Sequence, residues 1–164
     1  MNRDRLQKIL NASVDHKLIF GSVVSLKKGN DVWTGSAGNL STESQYFIAS
    51  TTKLYITAII LQLQSEKVLN LDDKISKGLP SGILKDLHRY KGKDYSDELT
   101  IRHLLSNTSG LPDYFEDKPG GGVILLDELR SGIDRSWTFE EAVAHSKRMT
   151  PFFKPGEKGK AHYS

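Results

Sequence analysis

The chain has 164 residues, enough for one medium domain with its own core and too few for two comfortable ones. Apolar residues make up 37% and charged residues 26%, which excludes wholesale disorder, and no apolar run approaches the roughly 20 residues that a helical bilayer span needs. Lys and Arg outnumber Asp and Glu by 23 to 20, and residues 141–164 carry the whole net charge of +3. Without interleaved aromatics, that basic end reads as a solvated surface rather than a nucleic-acid platform.

The absence of cysteine excludes disulfides, thiolate metal ligands and a Cys nucleophile together. His16, His88, His103, His145 and His162 show no tight ligand spacing, so no metal site is expected. Met1 leads into the charged stretch 2–5 rather than an apolar signal core, so no export signal is expected in the chain as written, and the compartment stays open.

In chain order, Leu6, Ile9, Leu10 and Val14 recur at helical spacing and predict an amphipathic helix over residues 3–17. Residues 18–26 and 32–36 are rich in β-formers and flank a polar turn containing Gly29 and Asn30, which predicts a hairpin. A third short strand is predicted over 45–48. From Thr51 to Gln64 apolar residues cover nearly every face, which predicts a helix buried in a core. Beyond Asn70 the chain reads as short helices and loops. Two helix starts are marked, at Thr100 and at Thr138, where Glu141 three residues on completes a capping box.

Ser-x-x-Lys occurs twice, and the spacing alone means little. Ser25 and Lys28 fall on a predicted strand, where residues three apart point to opposite faces. Ser50 and Lys53 fall where a strand-like segment gives way to the apolar helix, and residues three apart on a helical turn share a face. A serine hydroxyl needs an adjacent base, a lysine amine serves as one only when neutral, and an apolar helix supplies the desolvation that favours the neutral amine. A helix N-terminus adds N–H groups for a developing oxyanion. The bland alternative makes Ser50 an N-cap and Lys53 a solvated first-turn residue.

Four separated blocks bear on that choice: Phe47-Ile-Ala-Ser-Thr-Thr-Lys53, Leu69-Asn-Leu-Asp-Asp73, the stretch from Leu99 to Tyr114 with Leu-Leu-Ser-Asn-Thr-Ser-Gly-Leu-Pro at 104–112, and Pro155-Gly156 followed by Tyr163-Ser164. In order and spacing they resemble the serine hydrolases related to class C β-lactamases, penicillin-binding proteins and their esterase and D-peptidase relatives. The resemblance runs from about Leu18 to the end, and 104–112 is its most specific part. It implies an α+β fold with a sheet subdomain beside a helical one, residues 1–50 giving a helix and the first strands and 51–164 the nucleophile helix and helical subdomain.

It also implies that Ser50 is acylated, that Lys53 accepts its proton, and that Tyr163 passes a proton to the leaving group. Tyr95-Ser96-Asp97 is a decoy for the tyrosine element, because it precedes the 104–112 block whereas the family's tyrosine follows it. No metal or organic cofactor is implied, and the partner is a small-molecule or short-peptide substrate carrying a β-lactam, amide or ester carbonyl. A penicillin-binding sensor or a non-catalytic domain of the same fold is the alternative.

The family's pattern continues past Ser164, through the rest of the tyrosine element and a later cleft strand that supplies a second oxyanion donor. The expectation is therefore an N-terminal part of a longer domain, with weak or no catalysis if the molecule ended here. Asn107 is given no catalytic role, Gly110 is expected to stop a helix with positive φ, and Pro112 to fix its exit. Trp33, Phe152 and Phe153 read as core before cleft. Gly120 to Gly122 lack the Lys-Ser/Thr that a phosphate loop requires.

Overall fold

The computed structural model describes residues 1–118 and 124–164, so Pro119 and the glycines 120–122 lie outside the described residues. The chain divides into two compact units, Met1–Thr52 and Lys53–Ser164.

In the first unit, helix α1 (Arg3–Ala12) opens on Asn2, whose side chain accepts the Arg5 N–H at 3.0 Å. It ends earlier than the apolar spacing predicts. The Asp15 carboxylate accepts the N–H groups of Lys17, Leu18 and Ile19, each at 2.9 Å, and His16 takes φ 56°. That local turn consumes the donors a longer helix or an earlier strand would use.

Strands β1 (Gly21–Lys28) and β2 (Asp31–Gly38) pair antiparallel from Gly21↔Gly38 to Lys28↔Asp31. The strands run closer to the turn than predicted because Gly29, at φ 58°, and Asn30 close it in two residues. Ser25 Oγ lies 3.0 Å from Thr34 Oγ1 across the ladder, so this serine is occupied by sheet pairing. Leu10, Trp33 and Ala37 form the core between α1 and β2, with Leu6, Val14 and Val24 around them. Trp33 is thus core, as its chemistry suggested. The predicted strand over 45–48 does not form: these residues are irregular and exposed, Phe47 fully so, and among the described residues β2 has only β1 as a ladder partner.

The second unit carries helix α2 (Thr52–Ser65), α3 (Ser81–Leu84), a small hairpin of β3 (Arg89–Tyr90) and β4 (Lys93–Asp94), then α4 (Ile101–Leu105), α5 (Leu125–Arg130) and α6 (Phe139–Lys147). Both marked starts appear as capping boxes, Thr100 with His103 and Thr138 with Glu141. No helix among the described residues is long and apolar enough to cross a membrane.

The core of this unit forms around Ile75, Leu84, Leu87 and Leu99, flanked by Leu79, Ile101, Leu111 and Val143. Helix α2 is not part of it, against the expectation from its composition: Leu54, Tyr55, Ile56, Ile59 and Leu61 are 48–69% exposed. Apolar residues on every face select no single face for burial, and the stripe-forming residues of the later segments make the core instead.

Candidate active site

Ser50 sits in a 3-10 turn, Ala49–Thr51, that leads into α2. The Thr51 N–H donates to the Ile48 carbonyl at 3.0 Å, and the Thr52 N–H turns back on Ala49 and Ser50. Ala49 holds φ 45°, a left-handed conformation that costs a residue with a Cβ about 1–3 kcal/mol. The strain lies immediately before the candidate nucleophile, which is exposed.

Lys53 is the second residue of α2, and its carbonyl accepts from Thr57 Oγ1 at 2.8 Å. Its side chain is exposed, so the burial predicted from the apolar helix is not supplied by the described residues. What the structure does bring to Lys53 is Tyr163: the ammonium nitrogen lies 4.8 Å from the centroid of the tyrosine ring. A cation over an aromatic face is attracted by the ring quadrupole, by about 0.5–1 kcal/mol at exposed sites. The Tyr95 decoy, by contrast, is buried, its ring centroid 5.9 Å from that of His88.

Tyr163 reaches this position on a strap that the 104–112 block holds by its backbone. The Phe152 N–H donates to the Gly110 carbonyl, the Gly156 N–H to the Thr108 carbonyl and the His162 N–H to the Asn107 carbonyl, each at 2.9 Å. Gly110 has the positive φ expected of it, 76°, but its role differs. Helix α4 already ends at Leu105, and Asn107, at φ 56°, takes the left-handed turn after it. Gly110 instead lets the strap approach, since a Cβ there would stand 2.2 Å from the Phe153 carbonyl oxygen. Phe153 is core at 4% exposure, whereas Phe152 is half exposed.

The remaining blocks gather on the same frame. The Arg102 N–H donates to the Leu71 carbonyl at 2.7 Å, and the Arg102 guanidinium forks onto the Asp72 carboxylate at 2.7 and 2.9 Å. That hydrogen-bonded guanidinium holds the Asp72 carboxyl below its ordinary range. Gly156 packs on α4, where a Cβ would meet His103 Nε2 at 2.8 Å. Burial, then the charge of Lys74, pushes the His103 imidazole below its usual value.

Two features escaped the sequence pattern. His88 is fully buried, with Nε2 2.9 Å from the Ser109 carbonyl oxygen, and burial pushes its imidazole below the usual value. His162, beside Tyr163, lies 2.7 Å from the Asp117 carboxylate. Both had registered only as histidines without metal spacing; the adjacency of His162 to the tyrosine was the one available signal. An apolar cavity of about 420 Å³, lined by Ile75, Leu87, Leu111, Trp137 and Val143 among others, includes neither Lys53 nor Tyr163 in its walls. Its lining offers no nucleophile and base together.

Comparison with known proteins adds independent findings. The beta-lactamase family model matches residues 6–163. Penicillin-binding protein 4* of Bacillus subtilis (strain 168) is 30% identical over 120 residues, 68% of this chain and 24% of that protein. The crystal structure of a D-stereospecific amidohydrolase from Streptomyces sp. superposes with a TM-score of 0.71 at 31% identity, covering 100% of this chain and 46% of that one. EstCE1, described as a hydrolase with promiscuous acyltransferase activity, gives a TM-score of 0.71 at 26% identity, covering 98% and 43%. The chain thus spans about a quarter of the Bacillus protein and less than half of either solved structure.

Proposed function

This chain belongs to the beta-lactamase family and carries part of that family's α+β fold, and from that premise we propose that it supplies the nucleophile, base and tyrosine of a serine hydrolase working through a covalent acyl-enzyme. The observation that carries the reading is the Lys53 ammonium against the Tyr163 ring at 4.8 Å, two residues far apart in sequence that belong to different blocks of the resemblance.

In the proposed reaction Ser50 Oγ attacks the substrate carbonyl carbon while its proton passes to Lys53 in its neutral form. Negative charge develops on the carbonyl oxygen, and N–H groups at the start of α2 favour it. Tyr163, its proton replenished through Lys53, protonates the leaving amine or alkoxide as the bond to the carbonyl carbon breaks. Water then attacks the Ser50 ester, gives up a proton by the same route in reverse and releases the acid.

The likeness to a D-stereospecific amidohydrolase and to the hydrolase EstCE1 supports an amide or ester carbonyl as the target, with D-amino-acid amides the first substrates to try. The test is the intact mass of the protein before and after incubation with a fluorophosphonate and with a penicillin, beside Ser50→Ala. The reading expects a covalent adduct on the parent and none on the variant. An adduct that survives in Ser50→Ala overturns it, as does the absence of any adduct with either probe on a protein that carries the rest of the family's cleft.

A further inference from the structure

Tyr163 presents a positioning problem. Its side chain is 47% exposed, so burial does not fix it, yet the proposed chemistry needs its hydroxyl held to a fraction of an ångström. The residue before it is anchored at three points. The His162 N–H is bonded to the Asn107 carbonyl at 2.9 Å, its ring lies on Phe152 with centroids 3.9 Å apart and planes 34° apart, and its Nε2 meets Asp117 Oδ2 at 2.7 Å.

Asp117 is itself prepared for that contact. Its Oδ2 also accepts the Asp113 N–H at 2.7 Å, and its own N–H donates to the Asp113 carbonyl at 3.1 Å. Asp113 is buried, and its Oδ1 accepts the N–H groups of Phe115 and Glu116 at 2.7 and 3.1 Å. A carboxylate accepts and cannot donate, so His162 Nε2 carries the hydrogen, which fixes the imidazole tautomer. Both side chains are about three-quarters shielded from solvent, at 27% and 25% exposure, where a charge-assisted hydrogen bond is screened less than at the surface.

We propose that the Asp117–His162 pair is a latch that positions Tyr163 over Lys53. Asp117 holds the imidazole, the imidazole and Phe152 hold the backbone at 162, and the next residue delivers the phenol to the lysine. His162 and Asp117 are positioning residues; neither touches the reacting atoms. The catalytic consequence rests on the proposed role of Tyr163, but the geometric claim does not.

The experiment therefore reads both. His162→Ala and Asp117→Ala are expected to lower kcat on an ester or D-amino-acid amide by about 10- to 100-fold with KM within about twofold, because only the placement of a proton-transfer group is disturbed. Asp117→Asn, whose amide oxygen can accept from both His162 and Asp113, is expected to restore kcat to within about threefold of the parent. In parallel, the nuclear Overhauser contact between the Tyr163 ring and the Lys53 ε-methylene is expected to vanish in both alanine variants and to persist in Asp117→Asn. Should an alanine variant fail to fold, His162→Gln, which keeps a donor but lacks the stacked ring, carries the same readouts with a smaller loss. Unchanged kcat and an intact Overhauser contact in the alanine variants overturn the latch. In a protein that carries the rest of the family's cleft, a parent without activity whose contact still depends on Asp117 removes the acyl-transfer reading and leaves the latch standing.

Discussion

Lys53 Nζ and the Tyr163 ring meet at 4.8 Å, although one residue opens a helix and the other lies at the end of a strap with little regular structure. The contact uses the ring face, whereas the proposed proton transfer uses the hydroxyl. Tyr163→Phe keeps the face and loses the proton donor. It is expected to lower kcat by about 10²–10⁴-fold, the usual contribution of a general acid or base, with the thermal midpoint reporting what the hydroxyl adds to stability. Steady-state kinetics on an ester substrate beside a thermal melt would check it, and a phenylalanine variant with parental kcat would remove Tyr163 from the mechanism.

Gly110→Ala tests the strap from the other side. The substitution asks a Cβ-bearing residue to hold φ 76° and sets that Cβ 2.2 Å from the Phe153 carbonyl oxygen, a backbone atom that cannot step aside cheaply. A loss of at least about 2 kcal/mol in urea denaturation is expected, from the strain and the displaced strap together. Where the variant still folds, its kcat should fall as well, because the Phe152 N–H bond to Gly110 anchors the segment that ends in Tyr163.

Local signals were legible wherever one short stretch decides the outcome. The Thr138 and Glu141 capping box formed as its spacing predicts, and the two-residue turn at Gly29 and Asn30 set the hairpin register. Signals that depend on a partner were not. Tyr46, Phe47 and Ile48 have strand-forming side chains, but a strand exists only where another offers its backbone, and none among the described residues does so. The breadth of the apolar surface of α2 said that it wants cover without saying what would cover it. The Asp117 and His162 contact spans 45 residues, so no spacing rule reaches it. Of the candidate site, the residue types and their order were readable; the strap that carries Tyr163 to Lys53 was not, because it is built from backbone carbonyls at 107, 108 and 110 whose use is independent of side-chain identity.

Leu99 is fully buried at the centre of the second unit's core, and its carbonyl accepts the Ile75 N–H at 3.1 Å. Leu99→Ala removes packing on every side at once and is expected to cost about 2–5 kcal/mol. Chemical denaturation should show this as a lower midpoint with an unchanged slope, whereas a loss below about 1 kcal/mol would mean that the surrounding Ile75, Leu84 and Leu87 collapse into the gap.

His88 makes the stability of the second unit depend on pH. Its Nε2 faces the Ser109 carbonyl oxygen, an acceptor only, so the hydrogen sits on Nε2, and Nδ1 is buried with no hydrogen-bond partner among the described residues. Protonation would place a charge on a fully buried ring, and that burial outweighs the backbone hydrogen bonds that favour the charge and holds the folded imidazole below its usual value of about 6.5. The unfolded chain takes up the proton first as pH falls. Stability is therefore full above about pH 6.5, declines below it by at most about 1.4 kcal/mol per pH unit for this one group, and levels once the folded His88 itself titrates. His103, also lowered by burial, adds a contribution of the same sign. His88→Gln retains a donor for Ser109 and cannot titrate, so urea midpoints measured between pH 7.5 and 5 should fall less steeply in the variant than in the parent. Parallel curves would show that His88 takes up its proton as easily folded as unfolded, and that its burial does not resist the charge.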